Sequence, residues 1–388
     1  MMGDQSYAIE TLPAHENLEK IEATWRQLTD NFPHSYFLSW GWMESWLASQ
    51  QDTSNILCIF GYRDSTPCFG FFVGYNNYRK YGFYPTRSAH LNATGKANKD
   101  IITIEYNGIL SAVDSPPIFP SLLFSPPLKA CNEFVFPGTT GAFATMIRDH
   151  CKNFYLTTNE QLSYYTDLSL IRGKNGDYLS ILSSNKRQQI RRSIKEYEKG
   201  GMVQCQHATS SGEAETMFDE MGELHTEAWR KRGKNGSFVS AHWVHFHKTL
   251  IRNRFSSGEI HISKIFTQEK TLGYIYGFIY NDTFLFCQCG FHYEKNNKLR
   301  PGIVSHYILI QYFAERGLAL YDFLAGDSDY KRSLSTNRTA VYWLALQRRT
   351  AAFAVIKTLK DLVRTGGRFL TTAMRPNDAN AYRPRGGP

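Results

Sequence analysis

The stretch from Tyr274 to Lys331 restricts the fold more than any other part of the chain. Tyr274 to Tyr280 (YIYGFIY) and Phe284 to Cys289 (FLFCQC) are rich in β-branched and aromatic residues, as strands are. Asn281-Asp282 stands between them, a pair suited to a tight hairpin. Gly290-Phe291-His292-Tyr293-Glu294 ends the second strand. Val304 to Arg316 follows as a helical run, with Val304, Tyr307, Ile308, Ile310, Tyr312 and Phe313 apolar or aromatic and Gly317 fitting the C-cap. A short strand, Ala319 to Leu324, empties into Ala325-Gly326-Asp327 and then Tyr330-Lys331-Arg332. Strand, hairpin, strand, glycine-containing loop, helix and strand in this order predict a mixed α/β sheet.

The chemistry of this stretch starts where the helix starts. The first amides of a helix have no intrahelical partner, and the macrodipole adds positive charge there. Pro301-Gly302 reads as a turn in front of the helix. Gly302 would let a phosphate approach the amides, and Arg300 stands ready to pair with the same anion. An ordinary Pro-Gly loop reads from the same residues, since short glycine motifs carry little specificity.

From Tyr276 onward, YGFIYNDTFLFCQCGFHYEKNNKLRPGIVSHYILIQYFAERGLALYDFLAGDSDYKRSL resembles the acyl-CoA-binding half of the GNAT (Gcn5-related N-acetyltransferase) superfamily, and within it the CelD-type acetyltransferase-like domain. The resemblance rests on Pro301-Gly302, Asp322-Phe323, Gly326-Asp327 and Tyr330-Lys331, and it covers roughly residues 180–345. The Fem-type aminoacyltransferases are similar in arrangement, with an aromatic-Lys pair after the last core strand. The resemblance implies a GNAT-like fold in two halves, the C-terminal half the better preserved. The expected domains are 1–172, 173–348 and a basic amphipathic helix with a disordered tail at 349–388.

It also implies an acyltransferase. An acyl-CoA, acetyl-CoA first, would serve as co-substrate, with its thioester along the strand that carries Cys289 and Gly290. Its pyrophosphate would lie at Arg300, Gly302, Ile303 and Val304. Lys331 would stabilise developing negative charge or hold an acidic acceptor, Asp327 would act as base or fix Lys331 through an ion pair, and Tyr330 would line the pocket. His225 sits within a helix at a position where a proton acceptor can work. The loop departs from the usual Gln/Arg-x-x-Gly-x-Gly/Ala pattern: Lys298 to Val304 holds one glycine, with Val304 in the usual small position. That departure leaves acyl-CoA, an acyl-carrier protein and aminoacyl-tRNA open as donors. A non-catalytic scaffold of a polysaccharide assembly is the reading from another class. The implied acceptor is a small molecule or a sugar amine or hydroxyl, in an envelope or exopolysaccharide precursor.

Composition narrows the classes. Hydrophobic residues make up 42% and charged residues 20%, so the chain can build a core and is not of the disordered kind. The net charge of +9 is concentrated at one end, where nine Lys or Arg stand against two Asp from Arg348 on. This argues against a nucleic-acid binder and for a peripheral membrane contact or an acidic partner through 351–388. Seven Cys, an odd number without CxxC, fit a reducing compartment. MMGDQSYAIETL lacks the pattern of a secretory leader and no run of 18 apolar residues occurs, so the expected place is the cytoplasm, extending to the inner face of the membrane. No metal is expected. His242, His245 and His247 look metal-like, but no acidic or Cys ligand stands at a matching spacing.

The remaining elements follow from periodicity. Residues 6–12 read as a strand and Leu18 to Thr29 as an amphipathic helix. Trp40, Trp42, Met43, Trp46 and Leu47 read as core. Ile56 to Tyr62 and Phe69 to Tyr75 form a hairpin around Asp64-Ser65, and Asn76 to Asn98 reads as a long loop. Strands are expected at Ile101 to Glu105, Phe134 to Phe136 and Val341 to Leu346. Helices are expected at Lys186 to Lys199 with Ser183-Ser184-Asn185 as caps, at Glu213 to Arg230 and at Ala351 to Arg364. Prolines 116, 117, 120, 126 and 127 break the chain into loops around a short helix.

Overall fold

The computed structural model describes residues 7–112 and 119–366. The chain opens with strand β1 (Ala8–Pro13), helices α1 (Leu18–Asn31) and α2 (Trp40–Ala48), and strands β2 (Ile56–Arg63), β3 (Thr66–Lys80) and β4 (Tyr84–Leu91). Next come β5 (Leu110–Ser111), α3 (Phe119–Leu122), β6 (Glu133–Thr139), α4 (Gly141–His150) and β7 (Phe154–Asp167). The second part carries α5 (Leu168–Arg172), α6 (Tyr178–Ile181), α7 (Ser184–Tyr197), β8 (Gln204–His207), α8 (Ser211–Lys231), α9 (Ala241–Arg254) and β9 (Ile260–Phe266). It continues with β10 (Thr271–Tyr280), β11 (Thr283–Phe291), α10 (Pro301–Glu315), β12 (Leu320–Ala325) and α11 (Asp329–Leu334), and the described residues end on β13 (Asn337–Arg348) and α12 (Ala351–Gly366).

Two compact units emerge. Their described residues are 7–43, 50–112, 119–160 and 341–366 in the first, and 44–49 and 161–340 in the second. In the first unit β1, β2, β3 and β4 run antiparallel in that order, β6 lies parallel to β4, and β13 pairs β6 antiparallel. In the second, β8, β9, β10 and β11 run antiparallel, β12 lies parallel to β11, and the end of β7 pairs β12 antiparallel. Each unit therefore repeats strand, two helices, three antiparallel strands and a parallel fourth. The expected mixed α/β sheet in two similar halves is what the chain forms.

Local sequence explains the joints. Asn281 and Asp282 both adopt positive φ, 44° and 57°, as do Asp64 and Ser65 at 47° and 64°. These are the left-handed pairs that match hairpin twist. Ser183 caps α7 by accepting from the Lys186 amide, and Gly317 takes φ 85° behind α10. Helix α1 buries Ile21, Trp25 and Leu28, and Trp40, Trp42, Met43, Trp46 and Leu47 are all buried.

Three expectations are corrected. Asn76 to Asn98 is not a loop through most of its length: β3 continues to Lys80 and pairs β4 from Asn76↔Ser88 to Lys80↔Tyr84. Its polar residues are compatible with a ladder that projects past the core, where one face meets water. Glu133 organises that end, accepting from the Tyr78 hydroxyl at 2.8 Å and pairing with Lys80. Ile101 to Glu105 is not a strand; Ile102 and Ile104 are buried from irregular backbone. The preceding turn is tied by Asp100, whose carboxylate accepts from the Thr94 amide and hydroxyl and the Gly95 amide. Pro301-Gly302 is not a separate turn either. Pro301 is the first residue of α10, where its missing N–H and fixed φ fit a helix start.

Among the described residues no helix is long and apolar enough to cross a membrane. Helix α12 seats Phe353 among Tyr81, Tyr84 and Tyr155. The expected disordered tail beyond Gly366 and part of the proline-rich segment (113–118) lie outside the described residues.

Candidate active site

The site lies within the second unit, where two parallel strands part. β11 and β12 pair only at Thr283↔Leu320, Phe284↔Tyr321 and Leu285↔Asp322, although β11 continues to Phe291 and β12 to Ala325. A bulge turns β12 aside. Leu324 takes φ 58°, an uncommon angle for a residue with a side chain, and Asp322 Oδ1 accepts from the Leu324 amide at 2.7 Å. Lys331 closes the bulge from beneath. Its Nζ donates to the carbonyls of Leu324 (3.2 Å) and Ala325 (2.9 Å), and the side chain is 4% exposed.

Helix α10 begins at this gap. Its Gly302 and Ile303 amides open the helix without intrahelical partners, whereas the Val304 amide bonds the Arg300 carbonyl at 3.2 Å. Ser193 of α7 accepts from the Arg300 amide at 2.9 Å and so fixes the residue in front of the helix. Arg300 Nε is buried without a hydrogen-bond partner. Lys186, at the start of α7, has its ammonium pKa lowered by burial and by the nearby Arg300 charge. One guanidinium and two free amides therefore meet at this helix start, as an anion site requires, with Lys186 near enough to feel the Arg300 charge.

A cavity of about 230 Å³ opens there, lined by Phe291, Tyr293, Arg300, Gly302, Ile303, His306 and Tyr330 among others. His306 is missing from the sequence reading. It is 1% exposed, and its ring lies 4.7 Å from Phe286 of β11 and 5.3 Å from Phe323 of β12, in the gap itself. Tyr330 stacks on it at 5.3 Å, with a buried hydroxyl that has no hydrogen-bond partner. The available signal was a polar Ser305-His306 pair set inside an otherwise apolar helical run.

The other expected site residues divide. Arg300, Gly302, Ile303 and Tyr330 line the cavity, and Lys331 lies behind it. Gly302 has a reason other than phosphate approach: a Cβ there would come within 3.1 Å of the Phe291 ring. Val304 is fully buried in a cluster with Tyr197, Ile265 and Leu272 and is not part of the lining. Asp327 pairs with Arg332 rather than with Lys331 and accepts from the Tyr164 hydroxyl at 2.9 Å. The Arg332 contact and then the Tyr164 bond hold its carboxyl below the ordinary range, which makes it a weak base.

Cys289 belongs to the core, and burial pushes its thiol up to about 12. Gly290 allows α8 to pack directly on β11, since a Cβ would sit 2.1 Å from the Met221 carbonyl. His225 serves the same contact. Its Nε2 accepts from the Ser237 amide at 3.3 Å, so its Nδ1 carries the proton and donates to the Cys289 carbonyl at 3.0 Å. With both nitrogens engaged, His225 braces β11.

Comparison with known proteins agrees with this geometry. Residues 184–332 match the model of the Acetyltransferase (GNAT) domain family. This stretch of the chain is similar to the domain of that family. Its β11, α10, β12 and α11, with the cavity between them, all fall in the matched stretch. Beyond the matched stretch, the fold as a whole is similar to the crystal structure of FemX, with a TM-score of 0.55, 13% identity, and 86% of this chain and 96% of that chain covered. It is also similar to the C-terminal domain (DUF2156) of a putative lysylphosphatidylglycerol synthetase from Agrobacterium fabrum, with a TM-score of 0.51, 10% identity, and 93% and 100% covered. At these identities the likeness is one of fold. No curated protein matches the chain.

Proposed function

We propose that this chain is an acyltransferase of the CelD type that moves an acyl group from an acyl-CoA thioester to an amine or hydroxyl. The observation that carries the reading is the parting of β11 from β12 at the start of α10, with free amides and an unpartnered guanidinium nitrogen at its mouth. These residues fit a phosphate, and the gap behind them fits a slender arm. In the reaction, a lone pair on the acceptor attacks the thioester carbonyl, the C–S bond breaks, and the thiolate leaves with a proton. Arg300 and the Gly302 and Ile303 amides hold the donor's phosphates. The Lys331 ammonium, fixed by two carbonyls, contributes positive charge beside the gap as negative charge develops on oxygen. For the acceptor, the resemblance of the sequence favours a sugar amine or hydroxyl of an envelope or exopolysaccharide precursor.

The test is thiol release from acetyl-CoA with a panel of amino sugars and sugar alcohols, in the wild type and in Arg300→Ala. Acceptor-dependent release, with KM for acetyl-CoA raised roughly tenfold or more by the substitution, is the expected result. Absence of release with every acyl-CoA and every acceptor, from protein that is folded, would favour the scaffold reading. Gly302→Glu is a poor probe, because the new side chain would press on Phe291 whatever the ligand.

A further inference from the structure

His306 is a buried polar group in the cavity lining that the reaction above leaves unused. Its Nδ1 lies 2.7 Å from the Tyr321 hydroxyl, and its Nε2 is buried without a partner in the lining of the cavity. The proton can be assigned. Among the described residues, His306 Nδ1 is the one hydrogen-bond partner of Tyr321 Oη. A fully buried hydroxyl that only accepted would leave its own hydrogen unsatisfied. Tyr321 therefore donates to Nδ1, and the ring proton sits on Nε2, facing the cavity. Burial, together with the Lys331 charge, lowers the His306 pKa from 6.5 to about 3, so the ring is an uncharged donor at any ordinary pH.

We propose that His306 determines donor specificity, its Nε2–H donating to a carbonyl oxygen of a phosphopantetheine arm whose phosphate lies at the start of α10. This rests on the acyl-thioester reading and names the part of the donor that the inner cavity takes. Position supports it: His306 stands about one helical turn, ~5 Å, beyond the Gly302 and Ile303 amides. The first amide carbonyl of the arm follows its phosphate after a short run of carbons. The surroundings support it too. An uncharged donor between Phe286, Phe323 and Tyr330 suits a neutral carbonyl on an apolar chain better than a second phosphate.

The arm has two sources, free CoA and an acyl-carrier protein, and calorimetry with three probes separates them: CoA, 4′-phosphopantetheine, and adenosine 3′,5′-bisphosphate, which has no arm. His306→Ala is expected to weaken the first two about tenfold and to leave the third unchanged. Tyr321→Phe keeps the shape of the pocket but frees the ring proton to move to Nδ1, so it should weaken the same two. It also keeps the test readable if His306→Ala disturbs packing. His306→Gln places an N–H near Nε2 and should recover part of the loss. CoA binding more tightly than 4′-phosphopantetheine supports the proposal with CoA as source; equal affinities support it with a carrier protein as source. Unchanged affinity for both arm ligands in both His306→Ala and Tyr321→Phe overturns this inference and leaves the transferase reading standing. Wild-type protein that binds neither arm ligand overturns both.

Discussion

Lys331 does two things that a single substitution cannot separate. Its ammonium lies beside the reaction gap, and it also satisfies the carbonyls that the Leu324 bulge turns inward. Lys331→Met keeps the apolar stem but removes the donor to both carbonyls, and loss of the buried bond to Leu324 alone costs about 1–3 kcal/mol. The variant is expected to unfold at clearly lower urea whether or not the protein is an enzyme, and urea titration by circular dichroism checks this. An unchanged midpoint would mean that the bulge does not depend on Lys331. The loss of activity expected in the same variant must therefore be read per folded molecule. Arg300 escapes this difficulty, since its Nε has no partner to lose and its amide bond to Ser193 survives truncation of the side chain.

At the scale of elements, the site depends on a hairpin turn that ties β11 to β12 at their paired end and on a helix start at the gap where they part. The Asn281-Asp282 turn joins β10 to β11, and the Asp282 carbonyl also accepts from the Ala319 amide at 2.7 Å, which ties the turn to the entry of β12. Asp282 holds φ 57°, where a side chain costs energy that glycine avoids. Asp282→Gly is expected to stabilise the protein by about 0.5 kcal/mol, after subtracting the extra freedom that glycine gives the unfolded chain. A thermal melt checks the sign, and a lowered Tm would mean that the aspartate side chain supports the turn. The strand and helix types here were legible because each has its own period and its own punctuation. The extension of β3 and β4 was not, because Asn, Arg and Lys in a projecting ladder look locally like a loop. What makes that ladder a sheet is the partner strand, and Glu133, which anchors it, lies far away in sequence.

Across the whole molecule, buried histidines couple stability to pH. Burial lowers His90, His247, His261 and His306 from 6.5 to about 3 each, with Lys331 adding to the shift at His306 and the charges of His207 and Arg316 at His261. A folded pKa below the unfolded value means that the unfolded chain binds more protons once pH falls under about 6.5. The histidine contribution is therefore fully present above that pH and declines as pH falls towards about 3. Urea midpoints measured at about pH 7.5 and about pH 5 should fall steeply between the two. Equal midpoints would mean that these rings take up protons in the folded state. His90 lies in the first unit and the other three in the second, so both units contribute.

The sequence by itself determined the local order of elements, the two left-handed hairpins, the capped helices and the class of fold. Each of these is written in residues that are neighbours along the chain. The readable helix start also marked Arg300 and Gly302, whereas Ile303, Tyr330 and Lys331 were singled out by the family resemblance. Tertiary structure decided which groups face one another. It paired Asp327 with Arg332, turned Val304 into the core, engaged both nitrogens of His225 and set His306 in the parting of two strands. It also decided which strand completes which unit, β13 beside β6 and β7 beside β12. The physical reason is the same throughout. Burial, hydrogen-bond partners and proton positions depend on atoms brought together from distant parts of the chain, and no local spacing encodes them.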